Sequence, residues 1–237
     1  MNTTESGAAE YLRRYREILD TMIDEMTNAQ LGCSISQNFI MQMIPHHRAA
    51  IEMSRNLLEH SRFRPVRCIA ENIITSQTKS IENMQSALEC CSQVKNCSQE
   101  LCGYQRRFRD ITGIMFEQMK GACTTGCIAA DFMREMIPHH RGAVLMSENA
   151  LQYPLCREIR PMLDAIISSQ TCGIHEMEQL LRKMQYAGKP DHQTTRPHIK
   201  ITGALRSPGD IITGKPAVPR PRKRSCRPYR LRCRRCR

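Results

Sequence analysis

The chain of 237 residues contains no tryptophan, and aromatic residues make up only 5% of it. No stretch approaches the ~18 consecutive apolar residues of a membrane-spanning helix, which excludes such a segment. By contrast, 15 methionines and 13 cysteines are present, both above ordinary usage. With 41% hydrophobic residues the chain has enough apolar side chains for a core. We therefore expect a core filled with flexible sulfur-containing side chains where most proteins use aromatic rings.

The first 20 residues are polar and lack the apolar segment of a secretory signal peptide. A cytoplasmic location is therefore expected, with export by a route not visible in the sequence as the alternative. In a reducing cytoplasm we expect free thiols rather than disulfides. No nucleophile–base–acid set, phosphate loop or dinucleotide fingerprint is present, so an enzyme is the less favoured class.

Positive charge is concentrated at the C-terminal end of the sequence. Residues 188–237 hold 15 Lys and Arg against Asp191 and Asp210, a net charge of +13, so residues 1–187 carry a net charge of −1. Seven of the 12 prolines lie in the same segment. This composition predicts a disordered basic tail over residues 188–237. Such a tail either contacts nucleic acid or an anionic membrane surface, or is an extension unrelated to the rest of the chain.

The sequence contains a tandem duplication. Residues 11–88 align with residues 104–181 at a constant offset of 93 without a gap. The most similar blocks are FIMQMIPHHRAAIEMS at residues 39–54 and FMREMIPHHRGAVLMS at residues 132–147. Two related repeats, at residues 8–93 and 100–187, would bury their apolar faces against each other and form an all-α helical bundle.

Each repeat is predicted to contain three helices, because its apolar residues recur every three or four positions. The first helix is predicted over residues 8–28. The second is predicted to begin after Asn38, or after Asp131 in the second repeat, since both residues are good N-caps. The third is predicted to start near Pro65, or near Pro154 in the second repeat.

Methionines and histidines fall on shared helical faces in both repeats. Met43, His46 and Met53 lie on one stripe of the second helix, and His47 is close enough to join it. The complete set of candidate metal ligands comprises Met22, Met26, Met43, His46, His47, Met53 and Met84 in the first repeat, and Met115, Met119, Met136, His139, His140, Met146 and Met177 in the second. Gln77 and Gln170 share the face of the third helix with Met84 and Met177.

Thioether sulfur and neutral imidazole together favour a soft ion, above all Cu(I), with zinc or iron as alternatives. A di-iron bundle would show paired Glu and Glu-x-x-His spacings, which are missing. The competing interpretation is that methionine fills gaps in a core poor in aromatics, and that the histidines are inert. Pro45 and Pro138 precede the histidine pairs, and either kink a helix or occupy its first turn.

The ten cysteines before residue 188 do not align with one another at the offset of 93, so they do not belong to a site shared by both repeats. Cys123 and Cys127 precede the second His-His helix, where they could hold a soft metal or capture it on entry. The spacing of Cys90, Cys91, Cys97 and Cys102 around the linker between the repeats is only weak support for a specific zinc site. The alternative is that these loop thiols adjust the redox or metal-binding capacity of the protein.

The blocks F-x-x-x-M-I-P-H-H-x-x-A-x-x-M and I-I-x-x-Q-x-x-x-I-x-x-M resemble the bacterial family called domain of unknown function 305. The resemblance covers roughly residues 11–184. It implies a ferritin-like, four-helix-type bundle and, through CopM-like copper-binding members, copper binding by methionine and histidine. Members of the family usually carry an acidic residue where Ser80 and Gly173 stand here.

Three functions follow as hypotheses. The first is a copper-binding bundle, without catalysis, for copper buffering or resistance. The second is a redox enzyme of ferritin-like descent, and the third is an interaction or nucleic-acid-binding protein that acts through the basic tail. A homo-oligomer is a further expectation, because methionine-rich surfaces could pack against a second copy.

Overall fold

The computed structural model describes residues 3–122 and 124–187. Those residues form six helices and no strand, which confirms the predicted all-α fold. The helices are α1 (Thr3–Thr27), α2 (Ile35–His60), α3 (Arg64–Cys91), α4 (Ser98–Lys120), α5 (Ile128–Ala150) and α6 (Ile159–Ala187). None of these helices combines the length and apolar character needed to cross a bilayer. The basic tail predicted over residues 188–237, with its nucleic-acid and membrane partners, and Cys123 lie outside the described residues.

Four helices form a closed ring at the centre of the bundle. Helix α2 packs on α3, α5 packs on α6, and the two repeats meet through α2 against α5 and α3 against α6. The first helix of each repeat lies outside this ring, with α1 on α2 and α4 on α5. Helices α2 and α5 are therefore covered on several sides, which explains why most of their residues are buried. The Met-Ile-Pro-His-His segments lie on these two central helices.

The second helix of each repeat begins earlier than the N-cap prediction placed it. Its N-caps are Ser34 and Cys127, so the prediction that Asn38 and Asp131 are caps was wrong. Asn38 lies one turn inside α2, where its Oδ1 accepts a hydrogen bond from the Gly32 amide (2.7 Å) and its Nδ2 donates to the Gly32 carbonyl (3.1 Å). Asp131 accepts equivalent bonds from the loop before α5. These polar side chains bind the preceding loop to the first turn of the helix and do not cap the helix.

Pro45 and Pro138 lie inside α2 and α5, ten residues after the first residue of each helix. The alternative that each proline occupies the first helical turn was therefore wrong. A proline has no amide hydrogen, so the carbonyl four residues earlier loses its helical donor. This weakened turn comes directly before the histidine pairs.

A disulfide joins Cys91, at the end of α3, to Cys156 in the loop between α5 and α6. This bond corrects the expectation of free thiols for these two residues. The expectation holds for other cysteines that are exposed and outside any disulfide, namely Cys33, Cys90, Cys97, Cys102 and Cys127.

The loop that contains Cys156 also corrects the predicted start of the last helix. Helix α6 begins at Ile159 rather than near Pro154. The Pro154 carbonyl accepts a hydrogen bond from Asn96 Nδ2 (3.0 Å), and the Cys156 amide donates to Ser36 Oγ (2.9 Å). These bonds hold the segment against the first repeat, so it does not join the helix.

A candidate metal centre between the repeats

His46 of α2 and His139 of α5 stack on each other where the two repeats meet, with ring centroids 3.6 Å apart. His46 Nε2 lies 3.2 Å from the His139 carbonyl oxygen, and His139 Nε2 lies 3.1 Å from the His46 carbonyl oxygen. A carbonyl oxygen only accepts, so both Nε2 atoms must carry the hydrogen and donate it. In the neutral imidazole this leaves Nδ1 of each ring with a free lone pair, the form that binds a metal ion.

His47 and His140 extend this pair into a cluster of four imidazoles, which we call the histidine cluster. Each lies 5.9 Å, between ring centroids, from the stacked histidine of its own helix. His47 Nε2 is 3.1 Å from Ser80 Oγ. The equivalent position in the second repeat is Gly173, where an added Cβ would lie 3.2 Å from His140 Nε2. The position singled out in the family resemblance therefore contacts the second histidine of each pair.

All four imidazoles of the histidine cluster are buried, with at most 3% of each residue exposed. Burial disfavours the charged imidazolium and lowers the pKa of His47 to about 3 and that of His139 to about 4. Burial, together with the neighbouring imidazoles, holds the pKa of His46 and of His140 well below its usual range. The cluster is therefore neutral near pH 7. All four Nδ1 atoms are buried and make no hydrogen bond within the described part of the chain.

The ten methionines predicted as ligands are buried, each at most 2% exposed, and all belong to one continuous core. Met115 of α4 packs directly on α5, since a Cβ added at Gly142 would lie 2.1 Å from its Sδ. The predicted glutamines are also buried, and both amide atoms of Gln77 and the Oε1 of Gln170 lack a partner among the described residues. The structure therefore places every predicted candidate ligand in the interior and gathers the four histidines at the contact between α2 and α5.

Two tyrosine contacts between the repeats were not predicted from the sequence. Tyr11 of α1 donates a hydrogen bond to Glu135 of α5 (2.5 Å), and Tyr104 of α4 donates one to Gln42 of α2 (2.9 Å). The two pairs are related by the offset of 93, which was the available signal. Burial raises the pKa of Glu135 to about 8, although the hydrogen bond from Tyr11 acts in the opposite direction.

Replacing Glu135 by Gln should remove one contribution to the pH dependence of stability, a loss of stability as the pH rises from 4.5 to 8. The pKa of Glu135 is raised on folding, so the native state holds a proton that the unfolded state releases, and the stability that Glu135 contributes falls as the pH rises through this window. At pH 8 we expect the Glu135→Gln variant to be more stable by about 1–3 kcal/mol. Urea unfolding at pH 5, 6, 7 and 8 measures this difference.

The first repeat supplies the matched control, because Gln42 occupies the equivalent position beside Tyr104. Gln42→Glu should introduce a second pH-dependent loss of stability in the same window. Parallel pH profiles for the wild-type protein and Glu135→Gln would show that Glu135 has an ordinary pKa.

The family described as Domain of unknown function (DUF305) matches residues 13–88, 36–181 and 129–207, in three overlapping segments that include both repeats. The chain is also similar to a crystal structure of a DUF305 fragment from Deinococcus radiodurans, with 24% identity over 63% of this chain and 96% of that chain and a TM-score of 0.47. No curated protein matches it. From the extent of the family match, the chain belongs to the DUF305 family and carries the domain as a tandem repeat.

Proposed function

We propose that the chain binds Cu(I) as cargo at the histidine cluster, with thioethers of the surrounding methionines as additional ligands, and that it serves copper buffering or resistance. The observation that carries the proposal is the set of four buried, neutral imidazoles whose Nδ1 atoms have no hydrogen-bond partner among the described residues. Leaving a buried polar atom without a partner costs about 1–3 kcal/mol. A bound metal ion would satisfy those Nδ1 atoms that coordinate it.

The chemistry of the donors supports Cu(I) over harder ions. Thioether sulfur and imidazole nitrogen are soft or borderline ligands, whereas Mg²⁺, Ca²⁺ and di-iron centres require carboxylates. Glu135, the carboxyl residue one turn before His139, is already engaged by the Tyr11 hydroxyl (2.5 Å). Zinc and iron are the less favoured candidates on this basis.

The reciprocal contacts of His46 and His139 support one centre shared by both repeats rather than one centre in each. Each imidazole is oriented by the backbone carbonyl of the other repeat, at 3.2 and 3.1 Å. Such second contacts of a metal-binding histidine fix its tautomer and the direction of its free nitrogen. Separation of the repeats would remove both orienting bonds at once.

An anaerobic Cu(I) competition titration against a chromophoric chelator tests the proposal. The oxidised full-length protein is first alkylated with iodoacetamide, so that free thiols do not contribute. The double substitution His46→Gln/His139→Gln should lower the affinity for one equivalent of Cu(I) by more than about 100-fold. Loss of a mere outer contact of a metal ligand already lowers metal affinity by about 10–100-fold. Glutamine retains an amide donor for the opposite carbonyl, and a circular dichroism melt verifies that the variant is folded.

Two matched variants control this titration. His175 is exposed on α6 and is not a member of the histidine cluster, so His175→Gln should bind as the wild type does. Met43→Leu should weaken binding, whereas Met41→Leu, a partly exposed position on the same helix, should not. Equal Cu(I) affinity for the histidine double variant and the wild type would mean that these imidazoles only pack the core.

The disulfide bears on where the binding takes place. Disulfides persist in oxidising compartments and are rare in the cytoplasm. The Cys91–Cys156 bond therefore favours the exported alternative over the cytoplasmic location expected from the sequence. Alkylation of the protein in intact cells, followed by mass spectrometry of the two cysteines, distinguishes the two locations.

A further inference from the structure

Three cysteine sulfurs meet at the junction of the two repeats, at a distance from the histidine cluster. The Sγ atoms of Cys90, Cys91 and Cys156 all lie within 4.8 Å of one another. Cys91 and Cys156 are buried and joined by the disulfide, whereas Cys90 is exposed. None of the three aligns with a cysteine of the other repeat, so this cluster is separate from the duplicated site.

The backbone around these sulfurs is held by contacts that do not involve the disulfide. Ser34 Oγ donates to the Cys91 carbonyl (2.6 Å), and the Cys156 amide donates to Ser36 Oγ (2.9 Å). Asn96 Nδ2 donates to a carbonyl of the α5–α6 loop (3.0 Å). These bonds fasten the end of α3 and the α5–α6 loop to the start of α2. The three sulfurs should therefore remain close to one another after the disulfide is reduced.

The exposed member of the cluster has a proton acceptor beside it. The Cys90 thiol donates a hydrogen bond to the Glu158 carboxylate, and this bond is the main reason why the pKa of Cys90 is raised. Cys90 is therefore a neutral thiol at pH 7 in the absence of a metal ion. A soft ion binds the thiolate and displaces the thiol proton to solvent.

We propose that Cys90, Cys91 and Cys156 form a three-thiolate binding site for a soft metal ion such as Cu(I) or Cd(II) once the disulfide is reduced. Two molecules of a small thiol reductant break the S–S bond, supply two electrons and two protons, and leave as their own disulfide. Binding of the ion then releases the thiol protons to solvent. In the oxidised protein Cys90 is the one thiol left in the cluster. The redox state of Cys91 and Cys156 therefore determines whether the site can bind a metal ion.

This site does not depend on the histidine cluster. Cys91 contacts Ser34, the N-cap of α2, and His46 lies eleven residues after the first residue of that helix. At a rise of 1.5 Å per residue the two clusters are roughly 16 Å apart along α2. His46→Gln/His139→Gln should therefore leave the thiolate site intact.

The test uses Cd(II) and the full-length protein, reduced and freed of reductant under anaerobic conditions. Cys90→Ser should lower the affinity for one equivalent of Cd(II) by more than about tenfold, since it removes a direct ligand. The ultraviolet sulfur-to-cadmium charge-transfer absorption reports the binding. Cys102→Ser, an exposed cysteine on α4, is the matched control and should bind as the wild type does. The oxidised protein should not bind this equivalent of Cd(II).

Alkylation with iodoacetamide, read by mass spectrometry, tests the same site without a variant. In the reduced wild-type protein one equivalent of Cd(II) should protect the exposed Cys90 from alkylation. Equal Cd(II) affinity for Cys90→Ser and Cys102→Ser would overturn the proposal, as would equal alkylation of Cys90 with and without the metal.

Discussion

Lowering the pH from 7 to 5 should destabilise the metal-free protein by roughly 5 kcal/mol. The four histidines of the cluster have a lowered pKa in the folded state and an ordinary one, near 6.5, in the unfolded state. The stability they contribute is fully present above pH 6.5 and is lost as the pH falls toward the folded-state pKa. Between pH 7 and pH 5 each histidine lowers the free energy of unfolding by about 2 kcal/mol. The raised pKa of Glu135 acts in the opposite direction and offsets about 2.5 kcal/mol of this loss.

Urea unfolding followed by circular dichroism, in the presence of a metal chelator, measures this loss. His46→Gln/His139→Gln should remove about half of the histidine contribution, and Glu135→Gln should make the pH dependence steeper. An unfolding free energy of the Glu135→Gln variant that stays constant between pH 7 and 5 would mean that the four imidazoles titrate with ordinary pKa values and are accessible to water.

Removing the Cys91–Cys156 disulfide should lower the free energy of unfolding by about 4 kcal/mol. The bond joins residues 65 positions apart, and closing a loop of that length restricts the unfolded chain by about this amount. The bond also ties the end of α3 to the second repeat, so its loss should make the unfolding of the two repeats less cooperative.

Thermal and urea unfolding of Cys91→Ala/Cys156→Ala, compared with the oxidised wild type, provides the measurement. Cys33→Ala/Cys102→Ala replaces two exposed cysteines outside any disulfide and should change stability by less than about 0.5 kcal/mol. If reduction of the wild-type protein leaves its unfolding midpoint unchanged, the disulfide does not contribute as expected.

The sequence was sufficient to predict the duplication, the six helices and a core rich in methionine. These features follow from the helical periodicity of the apolar residues and from the constant offset of 93 between the repeats. Both can be read from the sequence without knowing which distant residues meet. The central position of α2 and α5 was not predicted, although the Met-Ile-Pro-His-His segments carry few charged residues.

The features that the sequence did not predict depend on which distant residues meet in the fold. Asn38 has the chemistry of an N-cap, but its side chain bonds to Gly32 because Ser34 already caps α2. Cys91 and Cys156 have no counterparts in the other repeat, so the internal alignment could not pair them.

The geometry of the histidine cluster could likewise not be predicted from the sequence. Spacing on one helix placed Met43, His46 and Met53 on a shared face, but it did not indicate that His46 would stack on His139. That contact arises because α2 and α5 cross at their histidine pairs, and it determines which ring nitrogen of each stacked imidazole is free.

X-ray absorption spectroscopy at the copper edge identifies the ligands of the bound Cu(I) ion. The sample is the oxidised, thiol-alkylated full-length protein with one equivalent of Cu(I). We predict a shell of imidazole nitrogen together with thioether sulfur, and weaker imidazole scattering in His46→Gln/His139→Gln. A spectrum without imidazole scattering, or one that is identical in the wild type and the double variant, would contradict a copper centre at the histidine cluster.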